Sequence, residues 1–321
     1  MPRRIFCLQE TVQEALFELV HFPPGPATWP PSALEASPSL GRHVRVVRLL
    51  YGTDAPIAKL SRHRHLTPNL ERVEHFFFTG RLFKADIPAV PLQLRSLNIL
   101  ARHLPEKLQT STRAVALSTI FDMRSLQNLR ITFSGERCVY GLDYSWDVFA
   151  LSLRELKLLN INETLLTEIS AGLHRLVNLR TLVLTSDHGQ PHSVRVPDNF
   201  LASLPRLQNL SLQFIDLASA FARPLLNVQV LEMWQRMEGL DAVVRAVEAD
   251  PSPLPSLAIV RFNDFFTLPG RLRPRGNVFR SVGNAPSVFR SKGIALEVSS
   301  GLAWQKDWVT APEVSTSSAF G

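Results

Sequence analysis

An apolar residue, two free positions, a second apolar residue, one free position and a third: this spacing recurs along most of the chain. Copies start at Val44, Leu70, Leu94, Leu126, Leu153, Leu179, Leu207, Val228 and Leu257, and a blurred one spans Gly293 to Val298. The starts are separated by 26, 24, 32, 27, 26, 28, 21 and 29 residues. In the copy Leu153 to Leu158, strand alternation puts Leu156 and Leu158 on one face and Glu155 and Lys157 on the other. A short strand with one apolar face cannot bury itself, so a chain that repeats such a unit must stack its copies.

A period in the twenties, with a strand first and a return segment second, is that of leucine-rich repeats. The expected fold is therefore α/β, a leucine-rich repeat solenoid with a curved parallel sheet inside and helices and irregular returns outside. Helical spacing supports the returns: Leu165, Leu166, Ile169, Leu173 and Leu176 form one apolar stripe, and Asp241 to Asp250 reads as a second helix stopped by Pro251.

The expected organisation has four parts. Residues 1–43 form an N-terminal helical cap, in which Ile5, Leu8, Val12, Leu16, Leu19 and Val20 lie at helical spacing opposite Gln9, Glu10, Gln13, Glu14 and Glu18. A capping box from Ser32 to Glu35 opens a short second helix. Residues 44–263 hold the repeats. Residues 264–292, rich in Pro, Gly, Asn and Arg and repeating the tetrapeptide Val278 to Ser281 at Val288 to Ser291, read as a basic insertion loop. Residues 293–321 supply the last strand and a C-terminal cap and tail, with Trp304 and Trp308 placed to seal the final copy and little order beyond Pro312.

Composition narrows the function classes. The two cysteines, Cys7 and Cys138, are too few for a disulfide framework or a zinc site and fit a reducing compartment. Acidic residues interrupt the first twenty positions, so no signal peptide is expected, and no apolar run reaches the length of a membrane span. A soluble protein of the cytoplasm or nucleus is expected. The formal charge of +7 is concentrated between Asp264 and Glu297, where Arg271, Arg273, Arg275, Arg280, Arg290 and Lys292 meet no acidic residue. The remainder is close to neutral, which argues against a long basic face that tracks nucleic-acid phosphates.

Catalytic chemistry finds little footing. The closest histidine pairs, His63 with His65 and His188 with His192, have no carboxylate at ligand spacing on a helix, so no metal is expected. No phosphate loop, nucleophile elbow or paired carboxylates occur, so neither an enzyme nor a cofactor is expected. Recognition has more support. Counting the first apolar residue of each copy as position one, position five holds Arg48, Glu74, Asn98, Arg130, Lys157, Val183, Ser211, Glu232 and Arg261, a mixed polar row on the solvent side of the strands. Rings recur at positions seven and eight, as Tyr51, Phe76, Phe77, Phe133, Phe214 and Trp234. Aromatics beside arginines are common interface anchors, so Arg48, Tyr51, Arg130, Phe133, Phe214, Trp234 and Arg261 form a candidate stripe for a protein partner. For Phe76, Phe77, Phe133 and Phe214 the plainer alternative is packing beneath the next loop. Trp234, flanked by Glu232, Gln235 and Arg236, is expected to be exposed.

The stretch Glu14 to Phe22, then Leu34 to Pro38, then Leu40 to Leu49 with its His43, Val44, Arg45 opening, resembles the junction that follows the F-box in fungal F-box proteins with leucine-rich repeats. Phe289 to Leu296 is similar to the closing strand of such proteins. The resemblance implies a substrate receptor of a cullin-RING ubiquitin ligase, in which an F-box docks a Skp-type adaptor and the repeats hold the target. Only 13 residues precede Glu14, and no F-box residue can be carried over onto this chain.

Overall fold

The computed structural model describes residues 18–22, 36–37, 39–49, 64–78, 92–102, 121–134, 151–186, 193–235, 237–264, 284–300 and 309–310. It falls into two compact units, Met1–Leu179 and Arg180–Gly321.

The first unit contains β1 (Leu19–Phe22), β2 (Val46–Leu49), β3 (Arg72–Phe78), β5 (Ser96–Arg102), β7 (Asn128–Ser134) and β8 (Glu155–Ile161), paired in parallel in that order. Two short strands, β4 (Leu92–Gln93) and β6 (Phe121–Asp122), pair separately and also in parallel. The second unit contains β9 (Thr181–Ser186), β10 (Asn209–Gln213), β11 (Val230–Gln235), β12 (Ile259–Asp264) and β13 (Ala295–Ser300), again parallel and in chain order. The two-residue β14 (Val309–Thr310) closes on β13 in the antiparallel sense. Parallel neighbours need long crossovers. In the second unit the described helices α2 (Leu217–Ala220), α3 (Met237–Glu248) and α4 (Ala285–Ser291) provide some of them, and in the first α1 (Glu163–Leu173) follows β8. The class is α/β.

The apolar spacing fills both cores. Positions four and six of the first unit include Val47, Val73, Leu97, Leu129, Ile131, Leu156 and Leu158, none more than 3% exposed; in the second, Leu182, Leu184, Leu210, Leu212, Leu231, Met233, Val260 and Phe262 are buried as deeply. The expected return stripe is buried too: Leu165, Leu166, Ile169, Leu173 and Leu176 all face inward. Helix α1 starts at Asn162, whose side chain accepts from the Leu165 N–H at 2.8 Å. Helix α3 begins four residues before the expected Asp241 and buries Leu240, Val243, Val244 and Val247.

Two contacts recur between successive copies. The backbone carbonyl at position two accepts from two N–H groups of the next copy: Arg45 O from Glu71 and Arg72 at 2.9 and 3.0 Å, Gln208 O from Gln229 and Val230 at 2.8 and 3.0 Å. The side chain just before position one reaches back to the carbonyl two residues before position one in the previous copy. Asn69 Nδ2 donates to Arg42 O and Asn178 Nδ2 to Leu151 O, both at 2.7 Å, in the first unit. In the second, Asn227 Nδ2 donates to Pro205 O at 2.7 Å and Ser256 Oγ to Leu226 O at 2.6 Å.

Three expectations about the ends change. The helix expected over residues 5–22 is not helical at Leu19–Phe22, which is strand β1, in register with Val46–Leu49; residues 5–17 lie outside the described residues. Glu18 O accepts from the N–H groups of Arg45 and Val46 at 3.1 and 2.9 Å, the same pair of hydrogen bonds that the position-two carbonyl accepts elsewhere. Val20 and Phe22 therefore take positions four and six of an earlier copy, in register with Val47 and Leu49. Pro23 favours extended backbone just before it, against a helix. The capping box at 32–35 lies outside the described residues, as do Trp304, Trp308 and the segment beyond Pro312.

The loop expected over 264–292 contains α4, whose first turn carries Pro286 and which buries Ala285 and Phe289. Val278 to Ser281 lies outside the described residues. The last ladder copy is blurred because its first position is the C-terminal stop of α4. Gly293 has φ 71°, its N–H donates to Arg290 O at 3.0 Å and that of Ile294 to Phe289 O at 2.8 Å. That is a Schellman motif, which asks for glycine where the ladder would have leucine.

Candidate partner-binding face

Because side chains alternate on a strand, positions three, five and seven lie opposite the core, and register decides which of them become neighbours. In the first unit Arg48 lies beside Glu74, Asn98 beside Arg130, and Arg130 beside Lys157. His21, on the strand the ladder reading missed, adds one more member beside Arg48. In the second unit Val183, Ser211, Glu232 and Arg261 follow one another on adjacent strands, and Glu297 extends the row from β13.

The arginines of the candidate stripe sit in different settings. Arg48 is half-buried. Arg130 is exposed and makes no hydrogen bond or ion pair with any described residue. Arg261 is half-buried, with its Nε donating to Glu297 Oε2 at 2.7 Å. Lys157, beside Arg130, reaches Glu155 on its own strand at 2.7 Å.

The rings divide according to where their strands end. Strand β7 runs to Ser134, so alternation carries Phe133 to the core side with Ile131, and it is 1% exposed. Phe133 therefore packs inside and is not a surface anchor. Strand β10 stops at Gln213, and Phe214 takes φ 55°, which breaks the alternation and leaves its ring half-buried. Asn160 occupies the same position eight, one residue before the end of β8, with φ 59°. Each of these left-handed residues precedes a buried isoleucine, Ile161 or Ile215, and then a helix N-cap, Asn162 or Asp216. In these two copies the left-handed residue at position eight redirects the chain toward the helix that follows. Asparagine tolerates that conformation far better than phenylalanine.

Trp234 corrects an expectation. It is 5% exposed, and its Nε1 donates to Glu232 Oε1 at 2.9 Å on the same strand. The polar residues flanking it in sequence suggested a ring in solvent; instead the carboxylate two residues back satisfies the indole N–H, which lets the ring be buried. Its register neighbour Asn263 is 2% exposed, and the Asn263 Oδ1 has no hydrogen-bond partner among the described residues. Tyr51 lies outside the described residues, and for Phe76 and Phe77 only their places in β3 are described.

Among the described residues the strand face of each unit is mostly polar and mixed in charge, with Phe133 in the core, Phe214 turned aside and Trp234 buried against Glu232. Its chemistry is that of hydrogen bonding and charge complementarity. Among the described residues no three His, Cys, Asp or Glu side chains meet as a metal site, and no helix is long and apolar enough to cross a membrane. Comparison with known proteins matches this chain to no family model and to no curated protein.

Proposed function

We propose that the chain is a leucine-rich repeat solenoid that binds a protein partner, acting as the substrate-recognition part of an F-box-type ubiquitin ligase receptor and carrying out no catalysis itself. The observation that carries the binding reading is the row at position five. Within each unit its members stand side by side on successive parallel strands, opposite a core of buried leucines and valines, so most copies add one polar, addressable side chain to the strand face of that unit. Repeat proteins use surfaces of this kind for extended contacts with other proteins, where a few charged and aromatic groups carry most of the energy. The ligase reading rests on the resemblance of Glu14 to Leu49 to the F-box junction.

The test is capture of the tagged chain from its native cell extract, with mass spectrometry of the bound proteins. A Skp-type adaptor and a cullin in the eluate support the ligase reading. Retained partners without either make the chain a stand-alone repeat scaffold, the second reading. An eluate indistinguishable from that of a tag-only control overturns protein binding itself.

A further inference from the structure

We infer that the solvent face of β5, β7 and β8 in the first unit binds an acidic segment of a protein partner. The inference rests on the protein-binding reading above and specifies its chemistry. The starting point is a contrast within one row. Where charged residues are register neighbours at position five, they are elsewhere of opposite sign: Arg48 beside Glu74, and Glu232, Arg261 and Glu297 in sequence. Arg130 and Lys157 are the exception, two cations on directly opposed positions of β7 and β8. Neighbouring strands are only about 4.8 Å apart, and like charges set opposite each other destabilise a sheet.

Among the described residues, one carboxylate offsets that repulsion in part. Lys157 has Glu155, while Arg130 has no partner among the described residues. Two more exposed arginines, Arg95 and Arg154, occupy position two of the copies on either side of β7, and neither side chain makes a hydrogen bond or ion pair with a described residue. Arg130 and Lys157 thus share the face of β7 and β8, Arg95 and Arg154 flank it at the entrances of β5 and β8, and among the described residues of these three strands and their entrances Glu155 is the one carboxylate. Asn98 and Asn128, half-buried on the same face, add amide groups able to bond a peptide backbone. Guanidinium groups hold carboxylates in two-pronged hydrogen bonds, and a cationic face meeting an anionic segment gains both steering and register.

Protein fits this face better than nucleic acid. The basic patch is about 10 Å across, two strand spacings, which reaches only a few phosphates. Glu155 lies within it, and the Arg45–Glu71 pair on β2 and β3 side is already neutralised at 3.1 Å. A nucleic-acid face would continue the positive charge along the strands.

The test uses the full chain and a fluorescein-labelled peptide of alternating aspartate and glutamate, followed by fluorescence anisotropy, beside a single-stranded oligonucleotide of equal charge. The peptide should bind saturably and weaken as salt is raised, and the double substitution Arg130→Glu with Lys157→Glu should raise its Kd by at least about tenfold. The pair Arg95→Gln with Arg154→Gln, made separately, should weaken it by a smaller factor, and circular dichroism melts report whether each variant is folded. An unchanged Kd in both folded variants, or tighter binding of the oligonucleotide than of the peptide, overturns the inference. If the peptide is ignored while the native chain still captures a protein partner, this inference falls and the protein-binding reading stands; if neither binds, both fall.

Discussion

Replacing Leu210 by alanine tests the ladder at its most constrained point. Leu210 is 1% exposed at the centre of β10, with Leu182 and Leu231 as register neighbours on the two flanking strands, both fully buried. The substitution removes three carbons, worth about 0.8 kcal/mol each in lost burial, or about 2.4 kcal/mol. The neighbours belong to hydrogen-bonded strands that cannot collapse into the space, so a cavity cost is added, and the expected loss is about 3 to 4 kcal/mol. Ser211→Ala, one residue along, removes a half-buried hydroxyl from the opposite face and should cost less than about 0.5 kcal/mol. Urea denaturation followed by circular dichroism gives both differences. A one-residue slip in register would exchange the two faces. A Leu210→Ala loss below about 1 kcal/mol, or a Ser211→Ala loss of equal size, would refute the assignment of position four to the core.

Further substitutions probe other links. Asn178→Ala deletes the bond to Leu151 O and should cost about 1 kcal/mol, with Asn178→Gln failing to restore it because the longer chain misplaces the amide; thermal melts compare them. Gly41→Ala should destabilise severely, since its new Cβ would run into the backbone carbonyl of Leu66, whereas Gly293→Ala meets open space and should cost about 1 kcal/mol from its left-handed backbone alone. Equal losses at the two glycines would contradict this separation of steric from conformational cost. Trp234→Phe keeps most of the ring but strips the donor from Glu232, and should lower stability by about 1 kcal/mol; an unchanged melt would show that the indole bond contributes nothing.

What could be read from the sequence was parity. Once position one was located, alternation determined which side chains at positions three to six faced inward, and Leu156, Leu182, Met233 and Phe262 are all where that rule puts them. The rule loses its hold where the strand ends. Phe133 and Phe214 share position eight and could not be told apart, because the difference lies in whether the chain stays extended for one more residue or flips to positive φ. Strand β1 was hidden by a competing signal: Leu16, Leu19 and Val20 satisfy helical spacing while Phe17, Val20 and Phe22 satisfy the ladder, and only pairing with β2 decides between them. Trp234 was misplaced because its neighbours in sequence are polar, although one of them, Glu232, is the very group that permits burial. The cationic pair at Arg130 and Lys157 was visible in the aligned copies, but averaging charge over the whole chain concealed it.

The shared carbonyl at position two and the asparagine or serine just ahead of position one have a consequence for how this chain can change length. Where they occur, both contacts lie at the entrance to a strand; at β13 one bond of the pair remains, from the Ala295 N–H to Ala258 O at 2.8 Å, while the Ile294 N–H goes to Phe289 O. The interval between Leu207 and Val228 is 21 residues and that between Leu257 and Gly293 is 36, yet β10 meets β11 and β12 meets β13 in the same register. Register and return length are thus separate variables. A return can gain or lose residues, as loop-closure entropy grows only slowly with length, without moving any side chain of the polar row by one place. The outer segments are free to diversify while the strand face keeps its addresses.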